Sequence, residues 1–306
     1  MALYGPDYYK DFKCVASACH HSCCIGWQVA VDEESLYRYR VQKGDIGVRL
    51  TKAIEEKNGR AFFRLSENKR CPFLNENGLC DIICTLGAEH LTQICADHPR
   101  FRSFLPSRTE IGLGICCEEA ARLILTRTEK MVLVCLEGEE KSPRRFEKRL
   151  LKERAALLAI AQDRTLPFSL RIQKISAYAK RPRALLNNAP WIPLYRSLER
   201  LDGAFDTYLD LWEEKPNEAL EDFALMAEQL LVYFIFRHLA RAKNMRSLRA
   251  RAAFCALASH HVLSIAAARG GSLDDFLDTA RLYSSEIEYS EENTARIIKA
   301  CAARSS

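Results

Sequence analysis

The 306-residue sequence lacks the features that define several large classes of protein. It has no run of the roughly 20 apolar residues that a membrane-spanning helix needs. Its N-terminus has no basic segment followed by an apolar core, so no secretory signal peptide is predicted. The formal net charge of +5 is small for this length and does not indicate nucleic-acid binding. We therefore expect a cytoplasmic protein with neither a membrane span nor a nucleic-acid partner.

Cysteine, in contrast, is abundant and unevenly placed. The chain has 13 cysteines, and only Cys135, Cys255 and Cys301 lie beyond residue 117. The other ten are Cys14, Cys19, Cys23, Cys24, Cys71, Cys80, Cys84, Cys95, Cys116 and Cys117. Thiols gathered this densely need a partner, because a buried unpaired thiolate is costly and an exposed thiol is oxidised.

Three kinds of partner could serve these cysteines: other cysteines, zinc or an iron–sulfur cluster. Structural disulfides are rare in the cytosol, and the adjacent pair Cys23-Cys24 fits poorly in a disulfide framework. Zinc sites generally use matched pairs at short spacing, whereas the spacing here is irregular. Ligation by scattered thiolates suits an iron–sulfur cluster at least as well. For His20, His21 and His98 we prefer loop or core positions over metal ligation.

The patterning predicts a mainly α fold with two domains. Residues 1–137 would form a cysteine-rich, metal-binding lobe with a small β-hairpin, packed on a helical bundle at 138–306. In the lobe, Asp32 should cap a helix that ends near Gly44. Further helices are expected at 46–57, between 86 and 95, and from Cys117 onward. The aromatic segment 61–65 and the turn at 75–78 indicate the only strands, and residues 97–101 a loop.

The second domain shows helical periodicity throughout. The expected helices are 146–161, 169–179, 192–212, 219–241, 246–269 and 273–300, separated by Pro167, Pro182, Pro190, Pro216 and Gly270-Gly271. In the fourth helix one face should be buried: Phe223, Met226, Ala227, Leu230, Leu231, Phe234 and His238. Residues 237–251 hold six Lys and Arg and no acid. That run could bind an acidic partner or a phosphate-bearing cofactor, although a solvated face is the preferred interpretation.

Several motifs together resemble the flagellin lysine N-methylases, which belong to a wider cysteine-rich family thought to chelate zinc or iron. The resemblance covers about the first 125 residues. Its motifs are Tyr9-Lys10-Asp11-Phe12-Lys13-Cys14, Cys19-x3-Cys23-Cys24-Ile25-Gly26-Trp27, Arg70-Cys71-Pro72-Phe73-Leu74, Leu79-Cys80-Asp81-Ile82, Leu86-Gly87, Cys95, His98-Pro99-Arg100-Phe101 and Cys117-Glu118-Glu119-Ala120-Ala121-Arg122. Cys84 and Cys116 stand where relatives tend to have an aromatic residue and a serine, so neither resembles an essential ligand.

Eight cysteines then remain as predicted metal ligands. They are Cys14, Cys19, Cys23, Cys24, Cys71, Cys80, Cys95 and Cys117. The resemblance implies that they hold an iron–sulfur cluster, most simply of the 4Fe-4S type, with zinc as the alternative. Eight thiolates could form two four-cysteine sites, or one site with cysteines left over.

The resemblance further implies transfer of a methyl group from S-adenosylmethionine to lysine ε-amines of flagellin. The sequence does not identify a general base. It also shows no S-adenosylmethionine pocket, since no Gly-x-Gly-x-Gly loop follows a predicted strand. The three-cysteine radical signature is also absent, because Cys23 is followed at once by Cys24. The alternative interpretation is a non-catalytic protein that stores zinc or iron or senses redox state and shares only the cysteine lobe.

Overall fold

The fold is taken from a computed structural model that describes residues 1–180, 190–215 and 223–303. The chain forms two compact units: a cysteine unit, residues 13–100, and a helical unit, residues 1–12 and 101–306. This division differs from the expected boundary near residue 137. The reason lies in long-range strand pairing, because the first strand of the chain pairs with two strands that follow residue 107.

The strands form two small sheets. In chain order they are β1 (Ala2–Pro6), β2 (Ala30–Val31), β3 (Ile54–Lys57), β4 (Arg60–Phe63), β5 (Arg100–Phe104), β6 (Arg108–Leu113) and β7 (Leu133–Glu137). One sheet has the order β5-β6-β1-β7 and the other β2-β4-β3. In the first, Ala2 lies opposite Arg108 in a parallel pair, and Gly5 lies opposite Val134 in an antiparallel pair.

Helices make up most of the described chain. They are α1 (Glu33–Val41), α2 (Gly44–Ala53), α3 (Asp81–Leu86), α4 (Gln93–Asp97), α5 (Glu118–Leu125), α6 (Arg145–Ala161), α7 (Phe168–Tyr178), α8 (Ile192–Arg196), α9 (Ala204–Glu214), α10 (Ala224–Leu239), α11 (Met245–Arg269), α12 (Leu273–Tyr283) and α13 (Glu291–Ala303). A π-helical turn, Ser284–Glu288, follows α12. The mainly helical class with small sheets is thus confirmed.

The cysteine unit has a small aromatic core. Tyr39 of α1 stacks on Phe63 of β4, which meets Phe73 edge-on, with ring centroids 6.0 Å and 5.0 Å apart respectively. The Asp32 side chain accepts a hydrogen bond from Ser35 N, so the predicted cap of α1 is confirmed. The turn Asn58-Gly59 joins β3 and β4 into a hairpin, and both of its residues have positive φ. The strand expected over 61–65 is thus found as β4, but its hairpin turns at 58–59, and the turn expected at 75–78 lies only within an isolated bridge between Leu74 and Cys80.

The helical unit is built around α10 and α11. Every residue of α10 from Ala227 to Leu239 is buried, so the predicted apolar face extends around the whole helix. α11 is long and apolar enough to cross a membrane, yet 89% of its most apolar window is buried inside the fold, as in the core helix of a bundle. The predicted N-terminus of α5 at Cys117 is confirmed.

Several local predictions were wrong. The helix expected over 46–57 ends at Ala53, because residues 54–57 pair with β4. The helix expected between 86 and 95 is a 3-10 turn followed by α4. The loop expected over 97–101 enters β5 at Arg100, and the four-stranded sheet was missed. The helices expected over 192–212 and 273–300 are each interrupted, and Pro182, Pro216 and residues 219–222 lie outside the described part of the chain.

Candidate functional site

Backbone pairing brings three cysteines of the cysteine unit together. The amide of Cys71 donates to the carbonyl of Cys24 at 2.8 Å, and an antiparallel bridge joins Ile25 to Arg70 beside this pair. A second antiparallel bridge joins Leu74 to Cys80. The loop 71–80 thereby returns Cys80 toward Cys71, next to the turn that carries Cys24.

Cys95 is held by the short helix α4. The Thr92 side chain caps this helix by accepting from Cys95 N. The amide of Gln93 donates to Asp32 Oδ2 at 2.8 Å, so the carboxylate that caps α1 also holds the start of α4. The position of Cys95 therefore depends on Asp32, 63 residues earlier in the sequence.

The electrostatics of Cys24, Cys71, Cys80 and Cys95, here called the thiol group, show that these side chains interact. Burial raises the pKa of Cys71 to about 12, and Cys24, Cys95 and Cys80 raise it further. Burial likewise raises the pKa of Cys95 to about 11, with added contributions from Cys24 and Cys80. A hydrogen bond from Cys23 lowers the pKa of Cys24 to about 7. Without a cation, most of these thiols stay protonated at neutral pH.

Of the other predicted ligands, Cys23 lies beside the thiol group, because its side chain hydrogen-bonds Cys24. Cys14 and Cys23 are exposed and Cys19 is half-buried. The Cys14 sulfur accepts from Ala16 N, and Cys19 donates to the carbonyl of His21. Cys117 belongs to the helical unit, where it precedes α5. Within residues 1–180, 190–215 and 223–303, no three His, Cys, Asp or Glu side chains are arranged as a metal site.

His98 is a half-buried residue of the cysteine unit, in the turn that follows α4. Its ring lies 6.5 Å from that of Trp27, and burial lowers its pKa to about 4. This burial agrees with the loop or core position preferred from the sequence. His20 and His21 are exposed.

The helical unit holds a second polar group that the sequence analysis missed. Glu288, at the end of the π-helical turn, accepts hydrogen bonds from Tyr233 OH at 2.7 Å and Ser284 Oγ at 2.6 Å. His238 Nε2 lies 2.6 Å from its other oxygen, and Arg237 Nε lies 3.2 Å from that same oxygen. These five residues, which we call the Glu288 network, are all buried.

The Glu288 network is electrostatically satisfied. Burial by itself would raise the pKa of Glu288, but Arg237 and the hydrogen bond from His238 outweigh it and lower the pKa to about 2. The Arg237 guanidinium also lies over the rings of Phe101, Tyr289 and Tyr233, at 4.7, 5.2 and 5.9 Å. One sequence signal could have found part of it, since Tyr233 and Arg237 lie on the same helix face at a spacing of four.

Sequence comparison finds known proteins that are similar to this chain. A family model described as the FliB lysine N-methylase C-terminal domain matches residues 185–305, the region where the sequence showed only general helical character. The flagellar biosynthetic protein FliU of Salmonella muenchen is 30% identical over 149 residues, which is 46% of this chain and 85% of FliU. No solved structure matches the chain significantly.

Two enzymes are also similar. The lysine-N-methylases of Salmonella choleraesuis (strain SC-B67) and Salmonella typhimurium (strain LT2) are each 29% identical over 140 residues, 44% of this chain. The aligned region covers 35% of each of these two relatives. The resemblance seen in the cysteine motifs is confirmed, and the chain belongs to the flagellin lysine N-methylase family.

Proposed function

We propose that the chain is a methyltransferase that modifies lysine ε-amines of a flagellar protein, with flagellin as substrate and S-adenosylmethionine as methyl donor. The observation that carries the proposal is the similarity to FliU over 85% of that protein. The two lysine-N-methylases supply the reaction type by their names. FliU supplies the flagellar connection by its name.

The reaction sets clear demands on the residues around the amine. The ε-ammonium must lose its proton to a base, after which the nitrogen lone pair attacks the methyl carbon while the carbon–sulfur bond breaks. Burial favours the neutral amine, and in-line placement lowers the barrier. Glu288 is poorly suited to be this base, because its own donors Tyr233, Ser284, His238 and Arg237 already occupy its oxygens. We assign it a structural role.

We further propose that the thiol group binds a metal centre, an iron–sulfur cluster rather than zinc. The donor chemistry fits, since four thiols with interacting ionisations are gathered in one unit. A bound metal centre would supply the positive charge that lets them ionise, and it would draw the sulfurs into ligating positions. The assignment of Cys14, Cys19, Cys23 and Cys117 as ligands stays a prediction.

The activity is tested with protein purified without oxygen. It is incubated with S-adenosylmethionine labelled in the methyl group and with flagellin, and labelled lysines are located by mass spectrometry. We expect label on flagellin lysines and none on a flagellin whose amines have been blocked beforehand. Absence of label with metal-loaded, folded protein would contradict the proposal and favour the non-catalytic alternative.

The metal centre is tested by exchanging one buried cysteine. Cys71→Ser should lower iron or zinc per chain, because the hydroxyl is a poor ligand for either metal. Cys135→Ser is the matched control, since Cys135 is exposed on β7 in the helical unit. Elemental analysis with an absorption spectrum distinguishes a brown iron–sulfur protein from a colourless zinc protein. Unchanged metal content in Cys71→Ser would show that the ligand assignment is wrong.

A further inference from the structure

Arg251 of α11 is a cation without an anionic partner among the described residues. Its Nη1 is buried and makes no hydrogen bond, although part of the side chain remains at the surface. Burial lowers the pKa of Arg251, and the neighbouring Arg241 lowers it further. Because a guanidinium stays protonated in proteins, this group keeps its charge, and an unpaired charge in such a place is costly.

A second unsatisfied atom lies in the same part of the helical unit. His238 Nδ1 is buried and has no hydrogen-bond partner in the described chain, while Nε2 faces Glu288. The His238 ring packs edge-on against Phe254, with centroids 4.7 Å apart, and Phe254 lies one turn after Arg251 on α11. Burial lowers the pKa of His238, and the charge of Arg251 acts in the same direction.

Of the three arginines near His238, two form ion pairs with described residues. Arg237 forms an ion pair with Glu288 at 3.2 Å, and Arg241 forms one with Glu291 at 3.2 Å. Arg251 makes no such ion pair in the part of the chain that the structure describes. The basic run seen in the sequence is therefore not one solvated face. Arg237 is buried and ion-paired, and Arg241 is exposed and ion-paired. Arg251 is available to bind an anion from outside the described chain.

The two unsatisfied atoms need different partners, one a hydrogen-bond acceptor and the other a hydrogen-bond donor. Arg251 offers N–H donors to an anion. The carboxylate of Glu288 is ionised and accepts from Nε2–H, so a neutral His238 ring presents the lone pair of Nδ1 as an acceptor. A carboxylate carried next to an amino group satisfies both at once, with its oxygens on Arg251 and its N–H on His238.

We propose that Arg251 and His238 form a binding site for an α-amino carboxylate, the zwitterionic end of a free amino acid or of a larger molecule that carries one. Such a group inside a peptide is excluded, because the peptide bond consumes both charges. The inference deepens the proposed function if the larger molecule is S-adenosylmethionine, whose methionine part has this chemistry, but the ligand class follows from Arg251 and His238 alone.

Binding is measured by calorimetry on the full chain, with four probes: methionine, S-adenosylhomocysteine, adenosine and inorganic phosphate. We expect S-adenosylhomocysteine or methionine to bind, and adenosine and phosphate to bind far more weakly. If methionine binds as tightly as S-adenosylhomocysteine, the α-amino carboxylate that the site binds is that of a free amino acid. Binding of phosphate alone, or of none of the four, would overturn the site.

Substitution of Arg251 distinguishes a role in ligand binding from a role in stabilising the fold. Arg251→Gln should weaken binding by about tenfold or more, the effect of losing a charge-assisted hydrogen bond. Arg246→Gln, an exposed position on the same helix, removes an equal charge and should leave affinity unchanged. The melting temperature of ligand-free Arg251→Gln should not fall, because an unpaired buried charge has been removed. Unchanged affinity, or a lowered melting temperature that reveals a partner elsewhere in the chain, would refute the proposal.

These results are independent of methyl transfer. If S-adenosylhomocysteine binds through Arg251 but no lysine is labelled, the proposed function fails and the site stands. If lysines are labelled and Arg251→Gln binds as tightly as the unchanged protein, the site fails and the function stands.

Discussion

At the residue scale, Glu288 shows how the helical unit tolerates charge in its core. A buried carboxylate is stable only when its oxygens are hydrogen-bonded and its charge is paired with a cation. Tyr233 and Ser284 bond one oxygen, while His238 and Arg237 approach the other. Two of these residues, His238 and Arg237, are neighbours in α10. The π-helical turn Ser284–Glu288 places Glu288 against them.

The first prediction concerns Glu288→Gln. The substitution should cost about 3 kcal/mol of the free energy of unfolding at neutral pH, because it leaves the Arg237 charge buried without its partner. The folded pKa is about 2 against an ordinary 4.5, so the ionised form stabilises the fold above pH 4.5, and this stabilisation is lost as the pH falls toward 2.

Urea unfolding between pH 7 and pH 2.5 measures this effect. The unchanged protein should lose stability over that window, and Glu288→Gln should show a shallower loss. Glu292→Gln is the control, since Glu292 is exposed on α13 and should behave like the unchanged protein. An equally steep pH dependence in Glu288→Gln would contradict the assigned network.

At the scale of elements, the cysteine unit depends on a few short segments tied to one another. α4 has only five residues, too few to be stable alone. It is fixed by Thr92 at its own N-terminus and by Asp32 at the start of α1. The hydroxyl of Tyr39, also on α1, donates to the carbonyl of His90 at 2.6 Å. Cys95 therefore reaches its place through α1.

The second prediction concerns Asp32→Ala. Loss of the cap on α1 and of the acceptor for Gln93 should destabilise the cysteine unit by about 1–2 kcal/mol. Thermal unfolding followed by circular dichroism gives the change. Asp45→Ala is the matched control, because Asp45 is exposed in the first turn of α2. Asp32→Ala should also lower the metal content if Cys95 is a ligand, and full metal content would argue that Cys95 is not one.

At the scale of the whole molecule, the two units differ in what stabilises them. The helical unit has an extensive apolar core around α10 and α11. The cysteine unit has a far smaller one, centred on Tyr39, Phe63 and Phe73. A domain of under 100 residues with a small core commonly depends on metal or disulfides. The proposed metal centre in the thiol group would meet that need.

The third prediction is that metal removal acts on one unit only. Because binding free energy at a structural site is also folding free energy, stripping the metal should lower amide protection across residues 13–100. Protection in α10 and α11 should be unchanged. Hydrogen exchange read by mass spectrometry compares the metal-loaded and metal-free protein. Equal loss of protection in both units, or in neither, would contradict a metal centre confined to the thiol group.

The local chemistry of the sequence determined much of this protein. Periodicity located most helices of the second half, Asp32 marked the start of α1, and the cysteine motifs identified the family. These features depend on neighbours within a few residues, where propensity and side-chain spacing act directly. The strand pairing of Ala2 with Arg108 could not be predicted in this way, because no local pattern specifies a partner more than a hundred residues away.

Only the tertiary structure decided which side chains share an environment. It gathered Cys24, Cys71, Cys80 and Cys95 into one interacting group and placed Cys117 in the other unit. It also placed Glu288 beside His238 and left Nη1 of Arg251 without a hydrogen bond among the described residues. The sequence by itself determined most helices of the second half, the family and the cysteine inventory, since these follow from residue type and spacing. Burial and pairing between distant segments determined the charges and sites, because the energy of an ionised group depends on what surrounds it in space.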